Sequence, residues 1–160
     1  MKVKIFTTGG SIDKTYSTQT SGFEVGAPQI GRILQEANLQ LDYSIEPLLQ
    51  KDSLELDEGD RSLIFEKVSA AGERHILITH GTDTMIATAS KLEEVVGKVI
   101  VLTGAMQPAA FVQSDAAFNA GCAILALQIL PEGVYIVMNG TVFDPSKVRK
   151  NIALDRFEET

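Results

Sequence analysis

Short apolar runs that alternate with helical periods leave this chain few folds to choose from. VKIF (3–6), HILIT (75–79), VIVLTG (99–104) and VYIVMNG (134–140) are apolar without a polar alternation, the pattern of strands buried on both faces. LQLDYSIEPLL (39–49) reads as a further strand of mixed polarity. The segments between them carry apolar residues at helical spacing. PQIGRILQEA (28–37) predicts a helix with Pro28 at its first position and Ile30, Ile33, Leu34 and Ala37 on one face. DEGDRSLIFEKVSAAG (57–72) has acids in its first turn and Gly72 as its stop. DTMIATASKLEEVV (83–96) and SDAAFNAGCAILALQIL (114–130) follow, the latter with Ser114 or Asp115 as N-cap. This order predicts an open α/β fold, a mostly parallel, Rossmann-like sheet with helices on both faces. The 160 residues show no repeat, linker or internal boundary, so one domain spanning 1–160 is expected.

Composition narrows the partners. The formal net charge of −7 argues against nucleic acid and against an anionic membrane, since both are bound through clustered Lys and Arg. Cys122 is the single cysteine, which excludes an internal disulfide and a cysteine zinc site; its place in AGCAILAL reads as a small core residue. The opening MKVKIF is too short for a signal peptide and no apolar run approaches ~18 residues, so a cytoplasmic location is expected. His75 and His80 are isolated and form no metal site. His80 reads as a packed loop residue and not as a general base.

Ligands of open α/β sheets bind outside the carboxyl ends of the strands. Those ends read TTGGSID, KDSLEL, THGTDT, TGAMQP and NGTVFD. All but KDSLEL carry both Gly and Thr, so hydroxyls and close-approach glycines gather on one edge. Thr82 and Asp83, taken singly, read as a helix cap and a favoured first-turn acid. Beside Ser11 on the same edge they form a candidate site. A hydroxyl nucleophile needs a base, and Lys150 is one of several lysines that suit.

TTGGSID, ITHGTDTM, LTGAMQP and VMNGTVFDPSKVRK, in that order, resemble the amino-terminal domain of the bacterial-type L-asparaginase/glutaminase family. Its patterns are TGGTI, HGTDT, GAMRP and MN(D/G)TV with a lysine downstream. SDAAFN also resembles the family's ADGPFN, and the likeness spans essentially the whole chain. The resemblance implies catalytic roles for Ser11, Thr82, Asp83 and Lys150, with either Ser11 or Thr82 as nucleophile. It implies that Gly10, Ser53, Ala105 and Asp83 bind substrate: Ser53 its carboxylate, Asp83 its ammonium group, and Ala105 through the backbone. The implied reaction is hydrolysis of a small carboxamide, that of asparagine or a relative, through an acyl-enzyme, with no cofactor. A homodimer or homotetramer is expected.

Three departures qualify this reading. Ser11 stands where the family has threonine. Phe23 stands where the family's loop tyrosine aligns, leaving Tyr16 as the candidate proton relay. The sequence ends near Thr160, without the family's second domain, and Leu54 replaces a polar residue used for the substrate's amino group. Two alternatives follow: a non-catalytic module that binds an asparagine- or aspartate-like ligand, and one subunit of a heteromeric amidase. The segment 15–26 reads as a lid over substrate or as a mobile surface loop.

Overall fold

The computed structural model describes all residues from Met1 to Thr160. Strands β1 (Lys2–Gly9), β4 (Asp42–Lys51), β5 (His75–Thr79), β6 (Val99–Thr103), β7 (Gly133–Met138) and β8 (Thr141–Phe143) form one sheet in the order β4-β1-β5-β6-β7-β8. The first five are parallel, and β8 returns antiparallel along β7. Chain order reverses between β1 and β5. In sheets of this topology that reversal opens a crevice at the strands' carboxyl ends.

Alternation within the apolar runs explains why helices cover both faces. Val3, Ile5, Leu77, Val99 and Val101 pack with α1 (Ile30–Glu36) and α4 (Ala116–Ile129). Phe6, Ile76, Ile78, Ile100 and Leu102 pack with α2 (Glu58–Ala70) and α3 (Met85–Leu92). Each fully buried Ile or Leu in these layers contributes roughly 1.5–3 kcal/mol. Cys122 is half-buried against the α1–α4 layer. No helix is long and apolar enough to cross a membrane.

Element ends shift from the sequence expectation wherever a side chain is used elsewhere. Helix α1 begins at Ile30, with Gln29 and not Pro28 at its start, because the Gln29 N–H donates to the Asp13 carboxylate at 2.9 Å. Helix α3 begins at Met85, leaving Thr82 and Asp83 in the preceding turn. Asp115 holds the cap position of α4 but makes no cap bond. Its carboxylate instead accepts from the Met106 and Gln107 N–H groups, both at 2.9 Å. The second strand runs from 42 to 51, later than expected, since Leu39 and Leu41 pack against the core before it starts.

Strand β8 and two further hairpins had no counterpart in the sequence reading. Segment 15–26 is largely the hairpin β2 (Lys14–Ser17) and β3 (Gly22–Val25). Strands β9 (Val148–Asn151) and β10 (Arg156–Glu159) form a second one near the end of the chain. Val148 and Phe157 anchor it in the α2–α3 layer.

Candidate active site

Glycines draw three strand ends together. A Cβ on Gly10 would overlap the Gly81 backbone, and one on Gly104 would overlap the His80 carbonyl. A Cβ on Gly81 would lie 2.5 Å from Ser53 Cβ. Each of these glycines is followed directly by a candidate residue: Ser11, Thr82 and Ala105. The absence of side chains here is what lets the β1, β5 and β6 loops close on one another.

Ser11 opens a 3-10 turn, Ser11–Asp13, and is half-buried. The Asp13 N–H donates to the Gly10 carbonyl at 3.1 Å, and the Ala109 N–H donates to the Ile12 carbonyl at 3.1 Å. Ser53 is buried in its own short turn, and its carbonyl accepts from Thr84 Oγ1 at 2.8 Å. Ala105 is fully buried.

Lys150, on β9, reaches back to the loop after β5. Its Nζ donates to Thr82 Oγ1 at 2.8 Å and to Asp83 Oδ1 at 2.7 Å. Thr82 is buried, and the Lys150 side chain is 18% exposed. The carboxylate therefore fixes the ammonium group against the hydroxyl, a charge-assisted geometry.

The β9–β10 hairpin is aimed by side-chain amides. The Phe157 N–H donates to Asn139 Oδ1 at 2.9 Å, and the Asn139 N–H donates to Asn119 Oδ1 at 3.1 Å. Asn119, fully buried on α4, donates to the Gly104 carbonyl at 3.0 Å and to Asp115 Oδ2 at 2.9 Å. Asn139 has φ 55, a left-handed geometry that asparagine tolerates better than most residues. Sequence reasoning missed Asn119 and Asn139 as positioning groups. The one available signal was a lone Asn on the apolar side of a helical pattern.

His80 is fully buried and bonded at both ring nitrogens. A carbonyl only accepts, so Nδ1–H donates to the Gly81 carbonyl at 2.7 Å and Nε2 accepts from Thr88 Oγ1 at 2.8 Å. Burial pushes its pKa down to about 4, leaving a neutral imidazole that braces the loop against α3. Tyr16 is 58% exposed and lies opposite Phe23 in the β2–β3 register, its ring edge-on to Phe23 at 5.7 Å. Phe23 packs in turn on Phe111 at 5.4 Å. No cluster of three or more His, Cys, Asp or Glu side chains is placed to hold a metal ion.

The carboxyl edge of this α/β domain thus presents two hydroxyls, a lysine and a carboxylate. The chain belongs to the asparaginase family, whose amino-terminal domain description matches residues 2–158. It is 30% identical over 168 residues to a glutaminase-asparaginase of Acinetobacter glutaminasificans, covering 94% of this chain and 50% of that one. It is 33% identical over 166 residues to a glutamyl-tRNA(Gln) amidotransferase subunit from Methanosarcina barkeri, covering 93% and 38%. The thermostable L-asparaginase from Thermococcus kodakarensis superimposes with a TM-score of 0.85 at 26% identity, covering 99% of this chain and 51% of that one. The chain thus spans half, or less, of the curated relatives named here.

Proposed function

We propose that residues 1–160 act as one asparaginase-like domain that hydrolyses the carboxamide of asparagine or a related small amide. The observation that carries this reading is Lys150 Nζ held between Thr82 Oγ1 and Asp83 Oδ1, at 2.8 and 2.7 Å, beside the Gly10–Ser11 turn.

In this reading a hydroxyl, that of Ser11 or Thr82, adds to the amide carbon. Its proton passes to the departing nitrogen, which leaves as ammonia, and an ester to the enzyme remains. Water then adds to the ester carbon, the acid departs, and the enzyme oxygen regains a proton. As the ammonium held by Asp83, Lys150 orients the Thr82 hydroxyl; only as the free amine is it the group through which the Thr82 proton can leave and return. The Ala105 N–H stabilises the developing oxyanion, at roughly 2.7–4 kcal/mol per donor, while Gly10, whose own N–H is given to the Lys51 carbonyl at 2.9 Å, serves the substrate through close backbone approach. Ser53 holds the substrate carboxylate and Asp83 its ammonium group. Tyr16 serves as proton relay from the face of the hairpin that Phe23 also occupies, since directly paired residues share a face.

The likeness to an amidotransferase subunit supports a second reading, in which the chain is one subunit of a heteromeric amidase. Otherwise a homodimer or homotetramer is proposed. The test is ammonia release from L-asparagine, D-asparagine, L-glutamine and aliphatic amides, beside Ser11→Ala and Thr82→Ala. Turnover lost in both variants supports the enzyme. No turnover on any amide, with aspartate still raising Tm, overturns it in favour of a binding module.

A further inference from the structure

Two residues after Ser11, the chain buries a carboxylate without a counter-charge. Asp13 is 1% exposed. Its Oδ1 accepts from the Gln29 N–H at 2.9 Å, while Oδ2 makes no hydrogen bond to the protein. Asp13 lines a cavity of about 170 Å³ together with Pro28, Pro47, Leu48, Leu49 and Gln50. A break in the β1–β4 ladder shapes this cavity. Thr7 pairs with Pro47 but Gly9 with Lys51, so β4 bulges between those positions. Gln50 donates its amide nitrogen to the Val25 carbonyl at 2.8 Å, which leaves its Oε1 as a second acceptor.

We propose that this cavity binds a primary alkylammonium group, with Asp13 as its counter-ion and Gln50 Oε1 as its second acceptor. An ammonium has three N–H donors for the two oxygens, and its alkyl body suits the proline and leucine walls. A divalent metal is a poor match, since it calls for many oxygen ligands and the wall offers a single carboxylate. The volume fits a short amine, being several times the roughly 30 Å³ that one water occupies.

The electrostatics agree with the geometry. Burial pushes the Asp13 carboxyl up to about 7, partly opposed by the Gln29 N–H. A cation is the direct remedy for an ionised group so placed. The surrounding charges are already paired: Lys14 with Asp52, Lys51 with Asp60, and Arg32 on α1 with Glu36. An occupant would also brace the β2–β3 hairpin, because the Asp13 carbonyl accepts from the Gly26 N–H at 2.8 Å. One residue thereby ties both ends of the segment that follows Ser11.

The test is calorimetric titration of the full chain with ethylammonium chloride at pH 8, against tetramethylammonium chloride and sodium chloride at equal ionic strength. Saturable binding of ethylammonium alone is expected, with the apparent Kd weakening about tenfold per pH unit below 7. Asp13→Asn should abolish binding and Gln50→Leu should weaken it. Should Asp13→Asn fail to fold, the Gln50→Leu variant and the pH series on the unaltered protein carry the test. Equal responses to all three salts, or ethylammonium binding that ignores pH between 5 and 8, would overturn the proposal. Neither readout depends on amide turnover.

Discussion

Gly10 and Gly81 meet backbone to backbone, with no room for a side chain on the first. Gly10 also sits at φ 85, ψ −175, a conformation essentially reserved for glycine, where other residues cost about 1–3 kcal/mol. Gly10→Ala adds steric overlap to that strain. It is expected to lower Tm by several degrees, at about 2–4 °C per kcal/mol for a chain of this size. It should also separate Ser11 from Thr82 and reduce ammonia release. Thermal melts and amide assays on the one variant check both effects.

Lys150 offers a cleaner separation of chemistry from stability. Its partner Asp83 is 38% exposed, and ion pairs at the surface contribute only about 0–1 kcal/mol. Lys150→Met should therefore melt close to the parent. Its amide turnover should fall about 100- to 10,000-fold, the range for loss of a positioned proton-transfer group. A steady-state assay showing kcat unchanged would remove Lys150 from the mechanism.

Asp13 predicts stability that declines toward alkaline pH. Its folded pKa of about 7 lies above the ordinary 3.8, so between those values the folded chain holds a proton that the unfolded chain releases. The resulting stabilisation is fully present below about pH 4 and is lost as pH rises through 7, a change on the order of 4 kcal/mol. Asp13→Asn should flatten this slope and stabilise the protein at pH 8. Urea midpoints at pH 5 and pH 8 for both proteins decide it.

His80 acts in the opposite sense. Its pKa of about 4 lies below the ordinary 6.5, so the unfolded chain binds a proton that the folded chain excludes. This contribution is present above pH 6.5 and is lost as pH falls toward 4. His80→Gln is expected to lose stability at neutral pH yet show a shallower acid decline. Acid titrations followed by far-UV circular dichroism would reveal it, and an unchanged slope would count against the buried neutral imidazole.

Asn119→Leu tests action from the far side of the sheet. The substitution fills a similar volume but leaves the Asn139 N–H and the Gly104 carbonyl without their partner, at about 1–3 kcal/mol for each buried group. Turnover should drop although Asn119 touches none of Ser11, Thr82 or Lys150. A variant that melts several degrees lower with full activity would mean that the β9–β10 hairpin is aimed by other contacts.

The parallel strands and four helices were legible because their apolar residues follow a single period over enough positions. The strand HILIT matches β5 residue for residue. The glycine and hydroxyl motifs also marked the edge where the candidate site lies. Lys150's hairpin was invisible for a physical reason: VRKN and RFEE are short and charged, and only Val148 and Phe157 enter the core. Asp13 escaped notice because polar Lys14 and Thr15 follow it directly, and nothing local tells of the bulged strand that covers it. The start of α3 was placed too early because Thr82 and Asp83 suit a helix's first turn as well as they suit Lys150.

The two margins of the sheet carry a consequence for assembly. Strand β8 is three residues long. At the opposite margin, β4 bears Pro47, the bulge beside it, and Glu46 paired with Lys4 and Lys67. Proline, bulges, charge and short length each discourage another chain from adding a strand. Copies of this domain therefore have little means of joining into a continuous sheet. Strand addition is disfavoured at either margin, so any contact between copies has to use helices or loops.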